Sequence, residues 1–377
     1  MTRLSMSRAS APSVIVVGGG IVGAACADEL SGAGCAVSVV EPAFPGAGAT
    51  GAAMGHVVVM DDSPAQLALS VLSRALWAER APSLPKGVEK EARGTLWVAA
   101  DGDEMEHVRA KASLYASHGL AAEVLDAAGV AAAEPSLRPG LAGGLRVPDD
   151  RVLYPPAAAR FLLETALGRG ARLVADRAEA VASRRVRCGG RWLEADAVVV
   201  AAGGRSPALV PGLPVTPRKG HLVITDRCPG FLRHQAIELG YLRSAHTMTA
   251  ESVAFNVQPR ATGQVLVGSS RELVGWDDSV NRALVAKMLR RAVGYMPGLA
   301  ALPAIRTWVG FRPATPDSLP LVGPWEDGLF VATGHEGLGV TTAPATGRLV
   351  ADLLLGRAPC LDPAPFAPRR AMPGIHG

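Results

Sequence analysis

The stretch Val14–Gly23, VIVVGGGIVG, decides the fold of this chain, together with Val37–Glu41, VSVVE. An apolar run of strand length enters a turn of glycines, and an alanine-rich helix is predicted from Ile21 to about Leu30. A second apolar strand then ends in an acidic residue. This order of strand, glycine turn, helix, strand and acid is typical of a βαβ unit, and it belongs to an α/β fold.

Each part of this motif has a physical role in binding a dinucleotide. Gly18 allows the sharp turn, Gly20 lets the backbone approach a pyrophosphate, and Gly23 lets helix and strand pack closely. The helix N-terminus offers unpaired N–H groups and partial positive charge to phosphates. Glu41, about 18 residues past Gly23, is placed to accept hydrogen bonds from ribose hydroxyls. The alternative is an ordinary βαβ turn without a ligand.

The composition fits a globular chain of two or three domains, because 377 residues with 49% hydrophobic and 19% charged side chains can bury a large core. The formal charge is +4 and the arginines are spread along the chain, so a solvated surface is favoured over a nucleic-acid surface. No window has about 18 uncharged apolar residues, and we therefore expect no membrane span. Residues 1–12 are polar and too short for a signal peptide.

The five cysteines form neither a CxxC pair nor a zinc-binding spacing, so no metal site is expected. Cys26 and Cys35 are expected to be buried as small apolar side chains. An odd, scattered set fits a reducing cytoplasm better than a disulfide framework. The expected location is the cytoplasm, with a peripheral position at the membrane as an alternative.

The predicted elements change in type along the chain. Helices and strands alternate up to about residue 214, mainly strands are predicted from Val215 onward, and the chain ends with a strand and a helix at Pro344–Leu355. We expect a Rossmann-like nucleotide-binding domain over residues 12–90, 148–214 and 312–370. It is interleaved with an antiparallel-sheet α+β domain for the substrate, over residues 91–147 and 215–311.

Further glycine-rich motifs lie at Ala47–Gly55 (AGATGAAMG), Ala201–Gly204 (AAGG), Gly310–Gly323 (GFRPATPDSLPLVG) and Ala332–Val340 (ATGHEGLGV). Together with the N-terminal motif they resemble the FAD-dependent D-amino acid oxidase/dehydrogenase superfamily over nearly the whole chain. Within it, the resemblance is to the branch of glycine oxidase, sarcosine oxidase and D-amino acid dehydrogenase. It implies a GR2-type FAD-binding domain.

Two segments carry a narrower resemblance. Met54–Pro64 (MGHVVVMDDSP) and Lys219–Thr225 (KGHLVIT) are similar to the FAD subunits of bacterial opine and D-hydroxyproline dehydrogenases. Those enzymes are often hetero-oligomeric, so the resemblance implies an amino-acid substrate and, as an alternative, partner subunits. No nucleic-acid partner is expected, because the chain carries no basic run.

The resemblance assigns Arg312 to the substrate carboxylate. A guanidinium makes a planar, two-pronged charged contact that a lysine cannot copy. The alternative is a structural arginine that pairs with Asp317. His335 lies in the matching loop and is a catalytic candidate, although a loop histidine is more often solvated or structural.

The loop Gly334–Val340 is expected to pass the pyrimidine side of the flavin, where backbone N–H groups and the dipole of the following helix favour the reduced anion. Thr50, Gly51 and Ala53 match a loop over the ribityl chain and pyrophosphate. Ala178, on an expected parallel strand, is assigned a main-chain contact to adenine. The alternatives are a plain αL turn for the first loop and a mobile surface loop for the second.

The residues assigned to FAD binding are Gly18, Gly20, Ile21, Val22, Gly23, Glu41, Pro42, Thr50, Gly51, Ala53, Met54, Gly55, Ala178, Ala202, Gly203, Gly334, His335, Gly337, Leu338, Gly339 and Val340.

The chain departs from its relatives at two places. Asn256 stands where several relatives have a tyrosine, so their substrate preference does not transfer. Thr315–Val322 contains no cysteine, whereas sarcosine oxidase attaches its flavin covalently through one in this region. We therefore expect non-covalent FAD, with a tether through His56 as a remote alternative. Polar candidates for the substrate are Tyr241, Arg243, Asn256 and His221, each of which could instead be a satisfied residue on the sheet.

The expected reaction is oxidation of the Cα–N bond of a cyclic or secondary amino acid, such as D-hydroxyproline or D-proline, to the imine. Electrons pass to an acceptor or a partner subunit. One alternative is a glycine/sarcosine-type or D-amino acid oxidase that makes hydrogen peroxide. Others are an opine dehydrogenase FAD subunit that acts within a hetero-oligomer, and a flavin-carrying subunit without its own substrate site.

Overall fold

The structure is a computed structural model and describes residues 11–240 and 251–372. Its helices are α1 Ile21–Gly32, α2 Pro64–Arg80, α3 Gly102–Ser117, α4 Ala127–Ala133, α5 Pro155–Gly168, α6 Ser206–Leu209, α7 Arg282–Tyr295 and α8 Gly339–Leu354.

Its strands are β1 Ser13–Val17, β2 Ala36–Val40, β3 His56–Val57, β4 Thr95–Ala99, β5 Glu123–Asp126, β6 Gly143–Val147, β7 Arg151–Val152, β8 Arg172–Val174, β9 Ala178–Ala182, β10 Arg185–Cys188, β11 Arg191–Glu194, β12 Ala197–Val200, β13 Thr216–Thr225, β14 Gln235–Glu238, β15 Glu251–Pro259, β16 Val265–Glu272, β17 Ala304–Ala314, β18 Leu321–Glu326 and β19 Leu329–Thr333.

The first sheet has the strand order β18-β19-β12-β1-β2-β8 and is parallel except for the β18/β19 pair. The apolar run of β1 fits its central position, because a parallel strand covered on both faces needs apolar side chains on both. Helices α1, α5 and α8 form one cluster on this sheet, and the small sheet β9–β11 contributes to the cluster on the other face. This topology confirms the predicted α/β class with a Rossmann-like sheet.

The second sheet has the strand order β17-β13-β16-β15-β14-β4-β6-β5. It is antiparallel as predicted except that β14 runs parallel to β4; β14 itself was not predicted. Helix α7 packs on its outer face, where Phe255 stacks on Tyr295 with ring centroids 4.6 Å apart. The strands of this sheet come from residues 95–147 and 216–314. The domain boundaries given in the sequence analysis remain a prediction.

Two predicted elements differ from the structure. β9, expected to be parallel, is antiparallel to β10 in a separate three-stranded sheet. The last helix begins at Gly339 and not at Pro344, which lies inside it. Proline has no N–H to bond the carbonyl of Val340 one turn earlier. Trp77 Nε1 donates to that carbonyl instead, at 2.9 Å, and this bond lets the helix start nearer the glycine loop.

Cys26 and Cys35 are buried as expected, and all five cysteines are free thiols. Burial raises the pKa of the Cys26 thiol to about 12, which makes it unreactive. Among residues 11–240 and 251–372, every helix lacks either the length or the apolar character that a membrane crossing requires.

Candidate active site

A cavity of about 740 Å³ lies where the carboxyl ends of the parallel strands meet one face of the second sheet. Its size is within the range of small-molecule sites, and its position is the usual one for ligands of open α/β sheets. We call the part around Gly18, Gly20, Glu41 and Thr50 the glycine-rich end. The part around Gly220, Asn256, Ser269 and Arg312 is the sheet end.

The turn between β1 and α1 has no room for side chains. Gly18 has φ +112°, and a Cβ there would lie 2.5 Å from the carbonyl oxygen of Ala201. A Cβ on Gly23 would overlap the carbonyl oxygen of Gly18. Helix α1 begins after Gly20, which has no side chain to cap it, and its first turn contains no acid. Its positive end is therefore available to an anion.

Glu41 is fixed by backbone contacts at the edge of the cavity. Its Oε2 accepts a hydrogen bond from the N–H of Gly19 at 2.7 Å, and its Oε1 accepts from the N–H of Ala43 at 2.9 Å. A Cβ on Gly19 would lie 2.9 Å from Glu41 Cγ. Gly19 thus shapes the site although the sequence analysis gave it no role; three consecutive glycines were the available signal.

The loop after β2 connects both ends of the cavity. Thr50 is 6% exposed, and its Oγ1 accepts from the N–H of Ile21 at 3.0 Å. Two residues later, the carbonyl of Ala52 accepts from Trp308 Nε1 at 3.3 Å. A Cβ on Gly310 would lie 2.5 Å from Ala52 Cβ. The loop is therefore anchored on helix α1 and on the second sheet.

The C-terminal loop brings Gly337, Gly339 and Val340 to the cavity wall at the start of α8. His335 lines the same wall, and its Nε2 lies 3.0 Å from Thr346 Oγ1. Burial lowers the pKa of His335 to about 3, so the ring is neutral. A neutral ring hydrogen-bonded to α8 favours a structural role over a catalytic one.

Most of the residues predicted to bind the cofactor line this one cavity, namely Gly18, Gly20, Ile21, Val22, Glu41, Pro42, Thr50, Ala53, Met54, Gly55, Ala178, Ala202, Gly203, His335, Gly337, Gly339 and Val340.

Gly23, Gly51, Gly334 and Leu338 lie outside the cavity wall. Gly23 faces the backbone of the β1 turn, and Gly51 faces the carbonyl of Gly46. Gly334 has φ +79° and faces Thr315. Its role is therefore to allow the backbone turn after β19. The side chain of Leu338 packs against an apolar cluster below the second sheet. Tyr241 and Arg243 lie outside the described residues.

Arg312 projects from β17 into the sheet end. It pairs in register with Arg218 on β13, and its guanidinium lies over Gly220, where a Cβ would overlap Nη1. Nη1 donates to the carbonyl of Ser270 at 3.0 Å. The alternative pairing with Asp317 is wrong, because that carboxylate binds Arg370 through two bonds of 2.7 and 2.8 Å.

A second charged group lies beside Arg312. Glu336 lines the cavity, and its Oε1 accepts from Arg218 Nη1 at 2.8 Å. Arg271 Nε lies 3.9 Å from the same oxygen. The sequence analysis missed these three residues, since they come from β13, β16 and the C-terminal loop. The two guanidinium groups share one carboxylate, so the formal charge of this trio is positive.

Asn256 lies in the cavity wall as predicted, but His221 does not. His221 is buried on the opposite face of the sheet. Its Nδ1 lies 2.9 Å from Ser270 Oγ, and its Nε2 accepts from the N–H of Asn281 at 3.1 Å. His221 was a candidate for substrate contact, and this was wrong because odd positions of β13 face α7, away from the cavity.

Aromatic residues line the cavity near α6, and the sequence analysis missed them. Trp276, 44% exposed, lies 5.0 Å from Phe311 between ring centroids. The guanidinium of Arg205 lies 4.5 Å from the Trp276 ring. All three line the cavity, and they give part of its wall an aromatic character.

Comparison with known proteins identifies the family. The family model DAO, FAD dependent oxidoreductase, matches residues 13–353. A glycine oxidase of Pseudomonas aeruginosa is 30% identical over 380 aligned residues, covering 94% of this chain and 98% of that protein. A D-amino acid dehydrogenase of Methylobacterium nodulans is 34% identical over 286 residues, 71% of this chain and 64% of that protein.

Among solved structures, glycine oxidase from Geobacillus kaustophilus superposes with a TM-score of 0.85 at 27% identity. The superposition covers 96% of this chain and 100% of that one. The cavity fits the family's cofactor, because a Cβ-free turn, a helix N-terminus without an acidic first turn and a fixed carboxylate suit a pyrophosphate and a ribose. The chain belongs to the DAO family of FAD-dependent oxidoreductases.

Proposed function

We propose that this enzyme oxidises the Cα–N bond of a cyclic or secondary amino acid, such as D-hydroxyproline or D-proline, to the imine. The observation that carries the proposal is the guanidinium of Arg312, which is held over Gly220 at the sheet end of the cavity. FAD, when bound, would supply the hydride acceptor for Cα. Electrons then leave to an acceptor or a partner subunit.

Arg312 acts by binding the substrate carboxylate. Its Nη1 bond to the carbonyl of Ser270 fixes the plane of the guanidinium, and a fixed plane favours a two-pronged contact with a carboxylate. Holding the carboxylate orients Cα, which supplies much of the rate enhancement without acid–base chemistry.

Among the described residues, His56 and His335 line the cavity, and both are poor proton acceptors. Burial lowers the pKa of His56 to about 4 and that of His335 to about 3. We therefore propose that the substrate amine enters in its neutral form, and that turnover rises with pH as the free amine loses its proton. We also propose that FAD is bound non-covalently, since Thr315–Val322 has no cysteine. The proposed location is the cytoplasm, in keeping with five free thiols.

The test is anaerobic flavin reduction against a panel of D-, L- and N-alkyl amino acids. We expect bleaching of the flavin by D-configured cyclic amino acids and little response to branched L-amino acids. Strong reduction by ordinary primary L-amino acids would contradict the proposal. Denaturation with acid followed by filtration should release the yellow cofactor, and its retention on the chain would indicate a covalent bond.

A glycine/sarcosine-type or D-amino acid oxidase is the second candidate, favoured by the relatives named glycine oxidase. Mixing the reduced enzyme with air separates the two. Rapid reoxidation with release of hydrogen peroxide supports the oxidase, and slow reoxidation that a dye accelerates supports the dehydrogenase. An opine dehydrogenase FAD subunit would reduce its flavin only when its partner subunits are co-expressed.

A further inference from the structure

Trp276 stands at an opening of the cavity. Its side chain lines the cavity, and yet the residue is 44% exposed to solvent. The indole therefore lies between the interior of the cavity and the surrounding water. It belongs to the loop 273–281 that joins β16 to α7, and residues 274–280 of this loop are all exposed. The contacts of this one ring decide whether the opening is closed.

The indole bridges the two sheets. On one side it meets the edge strand β17 of the second sheet, where the ring of Phe311 lies 5.0 Å away between centroids. On the other side it meets the turn after β12 of the first sheet. A Cβ on Gly204 would lie 3.0 Å from Trp276 Cη2, so a side chain there would press on the ring. Trp276 thus fills the gap between the edge of one sheet and the turn of the other.

The contact with the first sheet includes a charge. The guanidinium of Arg205, at the end of the same turn, lies 4.5 Å from the Trp276 ring. Among the residues that the structure describes, no carboxylate forms an ion pair with Arg205. A guanidinium over an indole is attracted by the negative face of the ring. The pair of Arg205 and Trp276 therefore holds the two sides of the opening together.

The loop is fixed to the second sheet close to Trp276. The ammonium of Lys219, a buried residue of β13, donates to Asp277 Oδ2 and to the carbonyl of Ser279, both at 3.0 Å. Asp277 follows Trp276 directly, so this contact limits how far the ring can move. On the other side of the ring, Gly275 has φ +63°, a backbone conformation that glycine adopts readily. The ring is held in the opening by its own loop as well as by the residues it contacts.

We propose that Trp276 closes the cavity over bound FAD and slows the release of the cofactor. The turn that the indole contacts begins at Gly203, which lines the cavity and is one of the residues assigned to FAD. Side chains that bridge the opening must separate before a large cofactor can leave through it. The effect of Trp276 is therefore expected in the dissociation of FAD. The inference goes beyond the proposed function, because it does not depend on which amino acid is oxidised.

The experiment measures FAD release from the purified holoenzyme without any substrate. The protein is diluted below its affinity for FAD, and the rise in flavin fluorescence gives the dissociation rate constant. Trp276→Ala should raise this constant about tenfold, because a cation–π contact and an aromatic contact across the opening are lost. Trp276→Phe keeps an aromatic ring and should retain most of the slow release.

Trp192→Ala is the matched control. Trp192 is 39% exposed, and the guanidinium of Arg185 lies 4.5 Å from its ring, the same distance as between Arg205 and Trp276. Trp192 lies on β11 and does not line the cavity. Its removal should leave FAD release at the wild-type rate. Melting temperatures of the apoproteins show whether each variant folds.

A second comparison tests the bridge itself. Arg205→Met keeps an unbranched side chain and removes the charge. It should raise the dissociation rate constant about threefold in the wild-type background and change it little in Trp276→Ala, because two residues that act through one contact are not additive. Equal effects in both backgrounds would show that the two side chains act separately, and would overturn the bridge.

Unchanged FAD release from Trp276→Ala would overturn the inference, even if the same variant raised KM for a substrate. An equal increase in Trp192→Ala would also overturn it, because the effect would then follow from the loss of any exposed tryptophan. The proposed function is tested separately by flavin reduction with the amino-acid panel. If no amino acid of the panel reduced the flavin, the proposed function would fail and the rates of FAD release would be unaffected.

Discussion

The two ends of the cavity are built in different ways. The glycine-rich end is formed mainly by backbone groups, the turn at Gly18 and the N-terminus of α1, and its one acidic side chain, Glu41, is held by backbone N–H groups. The sheet end is formed by side chains, such as Arg312 and Asn256, that project from separate strands. A backbone-built site depends on the absence of side chains, and a side-chain-built site depends on their register. Substitutions at the two ends should therefore fail in different ways.

The largest effect is expected at the glycine-rich end. Gly23→Ala places a Cβ on the carbonyl oxygen of Gly18 and forces α1 away from β1. Because a backbone atom cannot move aside cheaply, FAD affinity should fall at least 100-fold and the enzyme should be purified colourless. The measurement is titration of the apoprotein with FAD, followed by fluorescence.

Gly168→Ala is the control for this loss. Gly168 ends α5, and a Cβ there would meet no atom within 4 Å. It should bind FAD like the wild type. Tight FAD binding by Gly23→Ala would show that the close approach of α1 to β1 is not needed for the cofactor.

The contrast between the ends also explains what could be predicted from the sequence. The turn at Gly18 and the position of Glu41 are local in the chain, so a short motif was enough to find them. Glu336 and Ser269 could not be found, because their positions depend on strand pairing and on a bulge in β16. His221 was misplaced for the same reason: a change of one residue in register moves a side chain to the other face.

Arg312→Ala should cause the largest loss at the sheet end. Removing a charged, two-pronged contact to a carboxylate should lower kcat/KM about 100- to 1,000-fold. FAD content should stay at the wild-type level, which separates this variant from Gly23→Ala. Arg312→Lys should recover only part of the loss, because an ammonium lacks the planar fork. Stopped-flow reduction of the flavin compares the wild type with Arg312→Ala and Arg312→Lys. Unchanged substrate affinity in Arg312→Ala would refute the assignment.

A smaller effect is expected at Gly220, because the absence of a side chain there leaves room for the guanidinium of Arg312. A Cβ on Gly220 would overlap Arg312 Nη1, so Gly220→Ala should displace the guanidinium and raise KM about tenfold. The double variant with Arg312→Ala provides the decisive comparison. Once the guanidinium is gone, adding Gly220→Ala should change KM little, since contacting residues are not additive. Equal effects in both backgrounds would mean that Gly220 acts elsewhere.

The smallest effect concerns His335 of the C-terminal loop, and it tests whether this part of the cavity wall uses a side chain for chemistry. Burial holds the pKa of His335 at about 3 in the folded state, against about 6.5 in the unfolded chain. Between these values only the unfolded chain binds the proton, so His335 lowers the free energy of unfolding as the pH falls below about 6.5.

His335→Gln removes this titration and can keep a hydrogen bond to Thr346. On going from pH 7.5 to pH 5, the wild type should lose about 2 kcal/mol more of its free energy of unfolding than the variant does. Burial of His56 and Asp150 also shifts their pKa values, but both groups are present in each protein and cancel in the difference. Urea unfolding at the two pH values gives the measurement. Equal pH dependence in the two proteins, combined with a large loss of flavin reduction in His335→Gln, would assign His335 a catalytic role instead of a structural one.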